Sequence, residues 1–144
     1  ALQQAAAHNE GAKTAIQSGN WDLAQTEARE ATRLAPDDTA YWENFAIATY
    51  NRAKRNGNAV QAAEWKRDAA LRYKTAFATA KDGSRKRKMA TASVNIYLEA
   101  AEDLVKRGMQ RDARQILYDA REPARFIDRE FEIEIMLQFI GAGG

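Results

Sequence analysis

The sequence predicts an all-α fold of stacked antiparallel helical hairpins, about seven helices in a single domain spanning 1–144. Three observations carry this. Thirty alanines recur at spacings of three and four among many Gln, Glu, Lys, Arg and Leu, all strong helix formers. Short turn signals cut the chain at regular intervals. Three glycines are each followed by alanines five and twelve residues on: Gly19 by Ala24 and Ala31, Gly57 by Ala62 and Ala69, and Gly108 by Ala113 and Ala120. The length of 144 residues suits one domain, since domains run to about 100–150 residues. With 45% hydrophobic and 29% charged residues, and only two prolines and eight glycines, the composition is that of an ordinary globular chain.

Each helix is justified by the turn that ends it. Helix 3–18 stops at Ser18-Gly19-Asn20 and helix 21–34 at Ala35-Pro36-Asp37-Asp38. Helix 39–56 runs into Asn56-Gly57-Asn58, and helix 59–81 into Asp82-Gly83-Ser84. Helix 85–107 ends at Arg107-Gly108, helix 110–121 at Glu122-Pro123, and helix 124–140 closes the chain. Connections this short force successive helices antiparallel. In each hairpin the glycine takes the left-handed conformation that ends the first helix. The first alanine sits where the second helix crosses the first, and the next, two turns on, faces the following hairpin.

This register resembles the tetratricopeptide repeat, a helix–turn–helix unit in which small residues recur at fixed places. The first unit, about 3–37, matches in Gly19-Asn20-Trp21-Asp22, Ala24, Ala31, Leu34 and Pro36, but has His8 and Gly11 where large apolar residues are usual. The second, about 38–81, opens with Trp42, Phe45, Ala46 and Tyr50; its first helix is extended by four residues and its second lacks the usual proline. The third, about 85–122, carries Tyr97, Ala100, Ala101, Leu104, Gly108, Ala113, Leu117 and Ala120, with Pro123 slightly early, and a capping helix follows at about 124–140. The resemblance implies a right-handed superhelix whose hairpins share one continuous core.

The composition leaves little room for chemistry. With no cysteine and one histidine, His8, the ligand sets of zinc, haem and iron–sulfur sites are missing and no cofactor or metal is expected. Of three serines, Ser18 and Ser84 fall in turns, and no triad can be assembled with Ser93. His8 is expected to be a partly buried packing residue. The acids Glu99, Glu102 and Asp103 share a helix face, with Lys106 four residues after Glu102 as the expected ion-pair partner. No enzyme activity is expected. Twenty-two basic against twenty acidic residues give a charge of +2, too balanced to favour nucleic acid as a partner. No stretch approaches the ~18–20 apolar residues of a membrane span, and the start lacks the basic region and apolar core of a signal peptide. Starting at Ala1, the chain is compatible with a mature form or an excised piece, and the cytoplasm and periplasm are both acceptable compartments.

Two segments stand out beside the repeats. Arg85-Lys86-Arg87-Lys88 places four cations at a helix start, where they oppose the macrodipole; the run is a solvated helix start or a site for phosphate or an acidic peptide. The last helix is unusually apolar for a solenoid cap. Phe131, Ile135 and Phe139 form one stripe, and Ile133, Leu137 and Ile140 a second. Residues 131–135 alternate as a strand would, but no other strand is predicted to pair with them, so helix is preferred. Phe131, Ile133, Leu137 and Ile140 are taken as the candidate self-association surface, making a homodimer the alternative function.

The leading expectation comes from the family resemblance: a non-catalytic scaffold binding a peptide or protein segment in a concave groove lined by the first helix of each repeat. The groove residues would be Asn9, Lys13, Ile16 and Gln17, then Glu43, Ile47, Tyr50, Asn51 and Lys54, and then Asn95, Leu98, Glu102 and Lys106. Asparagines serve a peptide backbone, while Ile47, Tyr50 and Leu98 offer apolar contact. The family's carboxylate-clamping variant is incomplete here, with Asn44 in place but Asn95 and Glu99 where cations are needed.

Overall fold

A computed structural model describes residues 1–143. They form seven helices: α1 (Leu2–Ser18), α2 (Trp21–Leu34), α3 (Thr39–Lys54), α4 (Ala59–Thr79), α5 (Gly83–Lys106), α6 (Gln110–Phe126) and α7 (Glu130–Gly143). No strand occurs among the described residues. Each helix packs on its neighbours in sequence order, giving an all-α, repeat-like stack of hairpins. Polar side chains start four of the helices: Asn20, Asp38, Asn58 and Asp82 each accept a backbone N–H from three residues on.

The glycine–alanine register is realised unevenly. Ala24, Ala31, Ala69, Ala113 and Ala120 are fully buried, and Ala62 nearly so. Gly19 and Gly108 adopt φ of 74° and 76°, as the hairpin turns require. Gly57 does not have positive φ. There α3 ends early, at Lys54, and the Asn56 side chain accepts the Asn58 N–H while Asn58 caps α4. At Gly11 the small residue makes room: a Cβ would come within 2.8 Å of Glu27 Oε2, the carboxylate that crosses from α2 to meet His8 Nδ1 at 2.9 Å.

The largest departure from the sequence reading is at the last turn. Pro123 does not end α6 but lies buried inside it; the helix runs on to Phe126, and the break comes at Asp128, which takes φ 60°. A proline lacks the N–H that would bond the carbonyl four residues back, and its ring pushes that carbonyl outward. Here the carbonyl belongs to Asp119, and Lys74 Nζ from α4 donates to it at 2.8 Å. The helix survives its proline because another helix supplies the missing donor. As a result α7 starts at Glu130 rather than 124, and Phe126 belongs to α6, edge-on to Phe77.

The core is lopsided. Tyr97, Met89, Val94, Ile116, Leu117 and Ile133 are almost wholly buried, all from α5 onward. The first hairpin is held mainly by alanines, with Phe45 of α3 as its one large buried apolar neighbour. Arg72 and Arg29 lie over that ring at 4.0 and 5.5 Å, adding cation–π attraction where aliphatic bulk is scarce.

Candidate functional site

Side chains lace the helices into two layers. In one, Asn44 of α3 donates to Asn9 of α1 at 2.8 Å, and Tyr50 of α3 donates to Glu99 of α5 at 2.7 Å. Arg129, at the entry to α7, donates to Asn95 of α5 at 2.7 Å. In the other, Arg67 and Lys74 of α4 both hold Asp119 of α6. The odd-numbered helices thus lie side by side as one face, and α2, α4 and α6 back them.

The candidate groove residues divide by what they touch. Asn9 is buried against Asn44, and Asn51 is turned onto its own helix, donating to the Ile47 carbonyl. Glu43 meets Arg85 at 3.4 Å and Lys88 at 3.6 Å. Leu98 is buried, and Ile47 is half-buried. Lys13, Gln17, Lys54, Glu102 and Lys106 are exposed, as is Asn95 despite its bond to Arg129. Lys54 Nζ lies 4.9 Å from the Tyr50 ring. Ile16 is half-buried on α1.

An ion cluster ties α4 to α5. Lys66 of α4 reaches Glu99 at 3.1 Å and Asp103 at 2.8 Å, so it, rather than Lys106, answers these acids. Burial depresses the Lys66 ammonium, but its hydrogen bonds to Asp103 and Glu99 outweigh that and hold it above its ordinary value. Burial first, and then the bond to Glu99, push the Tyr50 phenol well above its usual range.

A feature the sequence reading missed lies beside Glu102 and Lys106. These two, with Val105, Met136, Phe139 and Ile140, line a slot of about 300 Å³ between α5 and α7. Its walls are apolar and its two charged residues are of opposite sign. No local sequence signal marks it, because Val105 and the 136–140 end of the last helix meet only when α7 packs against α5. A second depression, of about 500 Å³, lies at the hairpin turns between Trp21 and Trp65. Its Arg52 is already engaged, stacked over Trp65 at 4.3 Å and paired with Asp22 at 2.6 Å.

Each cation of the basic run has a partner within the chain, while Arg85, Arg87 and Lys88 stay exposed. Arg85 and Lys88 hold Glu43, Lys86 donates to the Phe77 carbonyl at 2.9 Å, and Arg87 lies over the Phe126 ring. The candidate self-association set needs correction in part. Ile133 and Ile140 are buried within the chain, and Leu137 packs on the same core. Phe131 does point outward, 77% exposed, and it shares that face with Ile135 and Phe139. Beginning α7 at Glu130 sends 133, 137 and 140 toward α6 and α5, leaving the other stripe free.

Among the described residues no cluster of three or more His, Asp or Glu is placed to hold a metal ion, and no helix is long and apolar enough to cross a membrane. Neither models of known protein families nor curated proteins match this chain.

Proposed function

We propose that this chain is a non-catalytic protein-interaction scaffold of tetratricopeptide-like repeats, and that it takes a peptide or protein segment along the face formed by α1, α3, α5 and α7. The slot between α5 and α7 is the observation that carries this reading. An apolar recess of this size fits one aliphatic or aromatic side chain, and Glu102 and Lys106 flank it to orient the polar backbone and its charges. The exposed Lys54, Gln17 and Lys13 extend the polar surface along the same layer. Tyr50 and Asn51, both engaged within the chain, shape this surface more than they offer free hydrogen bonds.

Selection from a phage-displayed library of random linear peptides against the intact chain tests the proposal. Recovered peptides are expected to share an apolar anchor and to lose about tenfold or more in affinity with Val105→Asn, a loss of at least ~1.4 kcal/mol. Leu71→Ser, on the exposed side of α4, is expected to leave binding intact. Failure to recover any peptide, or binding indifferent to Val105→Asn and Glu102→Lys, would overturn it.

A further inference from the structure

The outer face of α7 gathers three exposed apolar side chains: Phe131 and Phe139 are 77% and 76% exposed, and Ile135 lies between them. Every acid on this helix is neutralised from within the chain. Glu130 is held by Arg125, Glu132 by Arg129, and Glu134 by Arg121 at 2.8 Å. The face is therefore apolar and carries no unpaired carboxylate that would repel another copy of itself. Its residues are also symmetric, with Phe131 and Phe139 each four positions from Ile135. A two-fold contact needs a self-complementary patch, in which residue i meets j and j meets i.

We infer that the chain forms a reversible homodimer in which two α7 helices pack antiparallel about a two-fold axis at Ile135. Phe131 of each copy then lies against the partner's Phe139. The stripe is an i±4 ridge, and two such ridges interlock at a crossing angle of about 50°. Three side chains per copy fall short of the ~1,600 Å² of a standard stable interface, so the dimer is concentration-dependent. Phe131 and Ile135 do not line the slot between α5 and α7. Phe139 belongs to both the dimer face and the slot, so the two proposals are told apart by Phe131→Ser and Ile135→Ser on one side and Val105→Asn on the other.

Light scattering after size exclusion, run on the intact chain at several concentrations, tests this. The mass is expected to rise from that of one copy toward two and level off there. Phe131→Ser and Ile135→Ser are expected to hold it at one copy with unchanged helical circular dichroism, while Leu71→Ser still dimerises. Because the chain has no cysteine, Ile135→Cys gives an independent readout: mild oxidation is expected to link two copies, and Glu10→Cys is expected to link none. A strict monomer at every concentration, association that survives both serine substitutions, growth beyond two copies, or no cross-link at Ile135→Cys would each overturn the inference.

Discussion

At the residue scale, the decisive contact is the one between Lys74 and the Asp119 carbonyl. A buried proline in the last third of a helix normally costs ~3 kcal/mol or more, and here the loss is offset by an ammonium from another helix. Lys74→Met is expected to destabilise the chain by about 1–3 kcal/mol, the penalty of an orphaned, partly buried acceptor. In the Pro123→Ala background, where a restored backbone N–H can bond the Asp119 carbonyl, the same substitution is expected to cost much less. Urea unfolding of the four variants of this cycle measures the coupling. The sequence alone could not reveal this. Pro123 carries the ordinary signal of a helix end, and its neutralisation lies in Lys74, 49 positions away.

At the element scale, the true break between α6 and α7 rests on a left-handed Asp128. A non-glycine residue there costs ~1–2 kcal/mol relative to the right-handed helix, so Asp128→Gly is expected to raise the melting temperature by a few degrees. Calorimetry checks this. The hairpins themselves were legible, because alanine spacing and turn residues are local signals. The ends of α6 and the start of α7 were not, because a tertiary donor overrode a local one. The same limit applied to α7's two apolar stripes: periodicity located both, but only the position of α6 and α5 decides which is buried. The uneven core has its own consequence. α1 and α2 bury mostly alanines, and the large buried side chains gather from α5 onward, so amides of the first hairpin are expected to exchange hydrogen before those of α5 and α6.

At the scale of the whole molecule, one buried and two half-buried tyrosines are expected to set the alkaline limit of stability. Burial, with a smaller contribution from Glu43, pushes Tyr73 up to about 12, and Tyr50 and Tyr97 are raised as well. A group whose folded pKa exceeds its unfolded value near 10 contributes stability in full below that value and loses it as pH rises toward the folded pKa. Stability is therefore expected to hold to about pH 9–10 and then fall steeply, and Tyr73→Phe is expected to flatten that fall. Equilibrium unfolding at a series of pH values reads it.

The candidate groove was only half legible at this scale. The residue types and their placement on alternate helices could be read from the repeat register. Which of them would be consumed by bridges between helices could not, since Asn9 meets Asn44 and Tyr50 meets Glu99 only after the hairpins stack. The slot between α5 and α7 likewise exists only in the assembled stack. The most direct test is hydrogen exchange of the intact chain with and without a peptide recovered by selection. New protection is expected to concentrate on Glu102–Lys106 of α5 and Met136–Ile140 of α7. Protection confined to α2, α4 and α6, or none at all, would contradict it.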